Sequence, residues 1–175
     1  MAKRSATTPF QLLVDAHLRV ISQLKKLQET SAQLRCGAHK KYPAEEMRKT
    51  LSRLERLTIP HMRLEEEVLY PYLETRIPRL AGPIQILQME HDDFRKRIGI
   101  LKGFLSAGKE AGVSSFDSWH AGVEQACLYI VTLLRNHVFQ EDEILFKKAR
   151  GILTTDESKT LSAKISSAKR QIRFK

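Results

Sequence analysis

The chain has no continuous apolar stretch of the roughly 18 residues that a membrane-spanning helix requires. Its first ten residues, MAKRSATTPF, carry no apolar segment of a secretion signal. The expected setting is the cytoplasm, with no membrane partner. Cysteine is scarce too: Cys36 and Cys127 lie far apart and form no C-x-x-C pattern. That argues against a thiolate metal site or a disulfide framework and for two reduced thiols in or near a core. Strand signals are absent, and no nucleic-acid-binding motif accompanies the charge.

What the chain does have is an excess of positive charge, 30 Lys+Arg against 20 Asp+Glu, for a net +10. The excess gathers in Lys147-Lys148-Ala149-Arg150 and in the closing run from Lys169 to Lys175. A solvated basic surface accounts for it, with an anionic partner at the basic C-terminus as the sharper alternative. A length of 175 residues with 42% hydrophobic content suits one domain over 1–175. The expected division is a bundle over about 8–150 and a short helix over about 154–173.

Four long segments repeat apolar residues at helical spacing. The first opens at Thr8-Pro9-Phe10-Gln11, where Thr8 can cap and Gln11 can reach back. Its stripe runs Leu13, His17, Val20, Leu24, Leu27, Leu34, with Gly37 as the stop. The second opens near Pro43 and shows Met47, Leu51, Leu54, His61, Glu65, Val68, with Pro60 expected to bend it. The third follows Gly82-Pro83 with Ile84, Leu87, His91, Phe94, Ile98, Leu101 on one face. The fourth begins around 115–117 and carries Trp119, Val123, Ala126, Ile130, Leu133, His137, Glu141, Ile144, ending at Arg150-Gly151. Thr154 and Glu157 form a capping box for the last helix, which offers Leu161 and Ile165 to the core. The expected fold is all-α: an antiparallel up-down-up-down four-helix bundle with a short C-terminal helix.

Each of the four helices places one histidine on its apolar face: His17, His61, His91 and His137. Counted from the helix ends at ~1.5 Å per residue, the four fall at nearly the same height in such a bundle. Two bring a carboxylate, since His61–Glu65 and His137–Glu141 both read His-x-x-x-Glu, and residues four apart share a face. Two buried carboxylates would cost several kcal/mol each unless compensated, and a pair of divalent cations compensates them. Imidazole and carboxylate without thiolate suit iron or manganese better than structural zinc. The halves repeat: one histidine, then His-x-x-x-Glu, twice. Two facing half-sites give each metal two histidines with both glutamates bridging, leaving room for an oxo or hydroxo bridge and an exogenous ligand.

His120 and Glu124 also read His-x-x-x-Glu, so the spacing alone is weak. His120 lies about 100° out of phase with His137 and ~25 Å along the axis, which marks it as a surface pair, not a ligand. His39 falls in a Gly/Lys-rich loop. Ferritin-like di-iron bundles use Glu-x-x-His with carboxylates in excess, the reverse of what stands here.

These residues resemble the hemerythrin family in its broad bacterial form, the HHE cation-binding domain. The resemblance rests on His17, on His61-Met-Arg-Leu-Glu65 through Pro71, on Glu90-His91-Asp-Asp-Phe94, and on Asn136-His137-Val-Phe-Gln-Glu141 through Phe146. It implies a non-haem di-iron centre in which His17 and His61 serve one iron, His91 and His137 the other, with Glu65 and Glu141 bridging. The oxygen-carrying members have a fifth histidine where this chain has Leu87. The set of four histidines and two glutamates is closer to members that respond to nitric oxide or oxidative stress and repair iron–sulfur centres. Asp142 sits at a spacing that some oxygen carriers use for a bridging aspartate; Glu141 is preferred because it matches Glu65. The expected function is a redox-active di-iron protein taking O₂, NO or peroxide at an open position. A sensor read by a partner through the basic C-terminal surface, iron storage or donation, and a metal-free helical adaptor are the competitors.

Overall fold

A computed structural model of the protein describes residues 8–36, 42–107 and 116–172. Every regular element among them is helical: α1 (Pro9–Cys36), α2 (Tyr42–Leu64), α3 (Tyr70–Arg76), α4 (Ala81–Ala107), α5 (Phe116–Phe139), α6 (Phe146–Arg150) and α7 (Thr155–Ile172). The chain is a helical bundle. Helix α1 packs along α2 and α5, and α4 packs along α5 and α2. No helix among the described residues is long and apolar enough to cross a membrane.

The helix starts show how local chemistry sets the boundaries. Thr8 caps α1, its hydroxyl accepting from the Gln11 amide at 3.2 Å, with Pro9 as the first helical residue, where a missing N–H costs nothing. The expected reciprocal bond from Gln11 is not made; its side chain donates to Asp15 instead, at 2.9 Å. Thr154 and Glu157 do form both halves of a capping box, with Thr154 N–H on Glu157 Oε2 at 3.0 Å and Glu157 N–H on Thr154 Oγ1 at 3.3 Å. Helix α7 spans 18 residues, Thr155–Ile172, against the expected span of about 154–173. Helix α4 starts one residue ahead of Gly82-Pro83, which form its first turn. Gly37 and His39 lie outside the described residues.

Helix α2 continues through Pro60. Beyond it comes a π-helical turn, Glu65–Leu69, leading into α3, and α5 runs through a matching π turn, Gln140–Leu145, into α6. Each wider turn inserts a residue and shifts the buried phase. Leu69 and Leu145 are therefore buried, while Val68 is half-buried and Ile144 faces solvent. The expected stripe is corrected by one position in both helices.

The apolar core falls into two clusters. One contains Val20, Leu24, Leu51, Leu54, Phe94, Ile98, Ile130 and Leu134. The other contains Phe10, Leu13, Leu69, Tyr70, Leu87 and Phe146, and takes in Leu161 and Ile165 from α7. The four histidines stand where the clusters meet. His17 lies between Leu13 and Val20, His91 between Leu87 and Phe94, and His137 between Leu134 and Leu145. A polar layer therefore divides the apolar interior.

Candidate metal centre

Within that layer His17, His61, Glu65, His91, His137 and Glu141 are all buried, the glutamates completely. Their donor atoms form two groups, each within 4.8 Å: His17, His61, Glu65 and Glu141 in one, Glu65, His91 and His137 in the other. Glu65 belongs to both. Its Oε1 lies 2.8 Å from His61 Nε2 and 3.7 Å from His17 Nε2, and its Oε2 lies 3.6 Å from His91 Nε2. Glu141 uses one oxygen inward: Oε2 is 3.1 Å from His17 Nε2 and 3.5 Å from His137 Nε2. Its other oxygen accepts a hydrogen bond from the Tyr70 hydroxyl at 2.7 Å. His91 and His137 face each other, Nε2 to Nε2, at 3.0 Å.

The donors need a cation. Glu65 Oε1 and Oε2, Glu141 Oε2, His17 Nε2 and His61 Nε2 are buried yet make no hydrogen bond among the described residues. Polar atoms left so inside a protein are costly, and a cluster of them converging on one point is what a metal removes. The set is also matched in charge, since two carboxylates offset part of the charge of the cations that neutral imidazoles would help hold.

Burial pulls the His17 imidazole down, but the carboxylates of Asp142, Glu141 and Glu65 outweigh it and push its pKa up to about 12. Burial likewise works against the Glu65 carboxylate, yet the neighbouring His61, His17 and His91 hold it well below the ordinary range. In the facing pair, burial depresses His91, whereas Glu141 and Glu90 raise His137 against its own burial. The charge of His137 is a further cause that lowers His91.

A ring of acidic residues holds the imidazoles from outside. His17 Nδ1 meets Asp142 Oδ1 at 2.8 Å, and His91 Nδ1 meets Glu66 Oε1 at 2.7 Å. His137 Nδ1 meets Glu90 Oε2 at 2.8 Å. Such contacts fix the ring orientation and leave Nε2 for the metal. Asp142 therefore sits behind a histidine, with Glu141 inside. Arg95 clamps Glu66 through both oxygens, at 2.7 and 2.8 Å, and Gln140 donates to Glu90 at 3.0 Å. Phe146 stacks on His17 and Tyr70 on His91, with centroids 5.9 and 5.8 Å apart.

Sequence reasoning missed this outer ring. The signal was in the repeat: an acidic residue follows each paired glutamate (Glu66, Asp142), and Glu90 precedes His91. His120 stands apart from both donor groups, but it is buried and not the expected surface residue, with Nδ1 4.0 Å from Glu124.

A helical bundle with two facing His/Glu donor groups defines a protein able to hold cations in its core. The chain matches the model of the hemerythrin HHE cation-binding domain over residues 8–149 and belongs to that family. It is also similar to two proteins described as iron-sulfur cluster repair protein YtfE. That of Musicola paradisiaca is 29% identical over 93 residues, covering 51% of this chain and 40% of the relative. That of Edwardsiella ictaluri is 28% identical over 107 residues, covering 59% of this chain and 46% of the relative. The chain thus matches less than half the length of either.

Proposed function

We propose that this chain binds two iron ions in its core and uses them toward a small diatomic ligand or peroxide, in nitrosative or oxidative stress or in the repair of iron centres. One domain would carry this activity, an antiparallel four-helix bundle closed by α7. In this reading His17 and His61 hold one ion, His91 and His137 the other, and Glu65 spans both. Glu141 contributes Oε2 from between the two histidine pairs.

The observation that carries the reading is the sharing of Glu65 by two donor groups, with both Glu65 oxygens, Glu141 Oε2, His17 Nε2 and His61 Nε2 making no hydrogen bond among the described residues. A single-cation site would not place a second imidazole pair on the far oxygen of the same carboxylate. The relatives' description as iron–sulfur repair proteins supports iron over other cations. When bound, a pair of irons with a free coordination position supplies electrons and a binding place for O₂, NO or peroxide.

The chain's own residues do the remainder. Asp142, Glu66 and Glu90 orient three imidazoles and raise their basicity as donors. Leu87 and Phe94, both buried, flank His91 and keep water from its side of the layer. The Tyr70 hydroxyl, held neutral by burial and by Glu141 and Glu65, fixes the outer oxygen of Glu141.

Metal analysis of protein from iron-fed cells tests the proposal, with absorption spectra in air and after addition of NO. About two irons per chain, near-ultraviolet oxo-to-iron bands and a spectral change with NO are expected. Glu65→Ala and His137→Ala should lose iron while His120→Ala keeps it; equal iron in all three would overturn the ligand assignment.

A further inference from the structure

The two halves of the site are related residue by residue. Asp142, five after His137, backs His17, and Glu66, five after His61, backs His91. Glu90, one before His91, backs His137. The same rule requires the residue one before His17 to back His61, and that residue is Ala16. An alanine has no oxygen to offer. His61 is the one histidine of the four for which the structure records no carboxylate on Nδ1 among the described residues, and it is also the most exposed of them, at 8%.

Where the missing carboxylate would stand there is a cavity of about 350 Å³ between α1, α2 and α7, lined by both Ala16 and His61. That volume lies at the lower end of the roughly 300–1,000 Å³ typical of ligand pockets. Its walls are largely aliphatic: Leu12, Leu57, Leu64, Ile165 and Ile172. Its charged lining is all of one sign. Arg19, Arg56 and Lys169 border it, no carboxylate does, and none of the three makes an ion pair among the described residues. Three unneutralised cations around an apolar pocket raise its affinity for an anion with an apolar body.

We infer that this cavity binds a medium-chain monocarboxylate whose head group takes the place that Glu90 takes in the other half. The carboxylate accepts from His61 Nδ1–H and pairs with the bordering cations, and the chain lies along the leucine and isoleucine wall. The contact with His61 rests on the ligand assignment proposed above, since a metal on Nε2 leaves the ring's only proton on Nδ1. The cavity and its charge do not depend on that assignment.

Octanoate is a suitable probe, with 1-octanol as its uncharged counterpart. Calorimetric titration of the iron-loaded full chain should show saturable one-to-one binding of octanoate, with octanol at least tenfold weaker. Arg56→Gln combined with Lys169→Gln should weaken octanoate at least tenfold without changing iron content. Ala16→Glu, which installs the absent carboxylate, should abolish octanoate binding in a protein whose circular dichroism shows it folded. Absence of saturable binding at millimolar octanoate would overturn the inference, as would equal binding of octanol or no effect of the charge substitutions. The same titration on protein found to lack iron separates the two ideas: charge-dependent octanoate binding there would keep the cavity assignment while the ligand assignment fails.

Discussion

Replacing Tyr70 by phenylalanine removes one oxygen atom from the buried layer and leaves the ring that stacks on His91 in place. Tyr70 and Glu141 are both wholly buried, and among the described residues the lost bond is the only hydrogen bond of the Glu141 side chain. A hydrogen bond to a charged group contributes about 1.5–3 kcal/mol. In metal-free protein the substitution should therefore cost about 2 kcal/mol, or roughly 4–8 °C in Tm for a chain of this size. Burial and the carboxylates of Glu141 and Glu65 push the Tyr70 phenol well above its usual pKa of 10. The hydroxyl stays a neutral donor across the neutral range, so the loss should not vary with pH there. With metal bound the penalty should shrink, because the freed Glu141 oxygen can turn to an ion. Thermal melts of both proteins, with and without iron, measure the difference. Tyr72→Phe is the control, since its hydroxyl donates to the backbone oxygen of Glu157 at 2.9 Å at a half-buried position. A metal-free Tyr70→Phe protein that melts like the parent, or an equal loss with and without iron, would refute the role given to this hydroxyl.

Three further outcomes follow from the same geometry. Glu66→Gln removes the charge behind His91 and should weaken metal binding roughly 10–100-fold in chelator competition. Asp92→Asn, which touches Arg95 at 3.0 Å but no histidine, should leave it unchanged. Leu161→Ala empties a fully buried position between α7 and the bundle and should cost roughly 2–5 kcal/mol in urea unfolding; a neutral result would mean that α7 does not share the core. Burial raises the Cys127 thiol to about 12, so it remains protonated across the neutral range. Mass spectrometry after brief iodoacetamide treatment should find Cys127 unlabelled in folded protein and labelled after unfolding; rapid native labelling would contradict its burial.

The inward donors were legible from sequence because they obey two simple periods at once. Each histidine lies on an apolar stripe, and each lies at a similar distance from a helix end, so counting along four helices brings His17, His61, His91 and His137 to one level. The outer ring was not legible in the same way. Glu66, Glu90 and Asp142 are ordinary acidic residues until a partner helix brings an imidazole nitrogen within 2.8 Å. Their positions depend on interhelix packing, which no single helix encodes. His120 shows the converse error. The phase argument separated it from the ligands, but its burial is a tertiary fact. At Thr8, the cap was legible while the partner of Gln11 was decided by Asp15, one turn further on.

The misplaced stripe has a more instructive cause. In an unbroken α-helix, residues nine apart differ by about 900°, which sets them on opposite sides. Tyr70 and Phe146 each stand nine after a layer histidine and should point to solvent, yet both are fully buried. The π turns resolve this. Each absorbs one extra residue, turning the following chain back by about 100°, so that positions eight, nine and twelve after the histidine all return to its face. Leu69, Tyr70 and Leu73 do so in one half, Leu145, Phe146 and Ala149 in the other. The bonds that close the wider turns run from the Tyr70 amide to the Glu65 carbonyl and from the Phe146 amide to the Glu141 carbonyl. The same two glutamates thus supply the inward carboxylates and the backbone acceptors that define the turns. This couples the site to the fold. The wide turn lets Glu65 point inward while Glu66 reaches around to the outer edge of His91. It also delivers the aromatic rings that stack on His17 and His91. A regular helix could satisfy the histidine and its partner four residues on, but not the next acidic residue and the stacking ring as well.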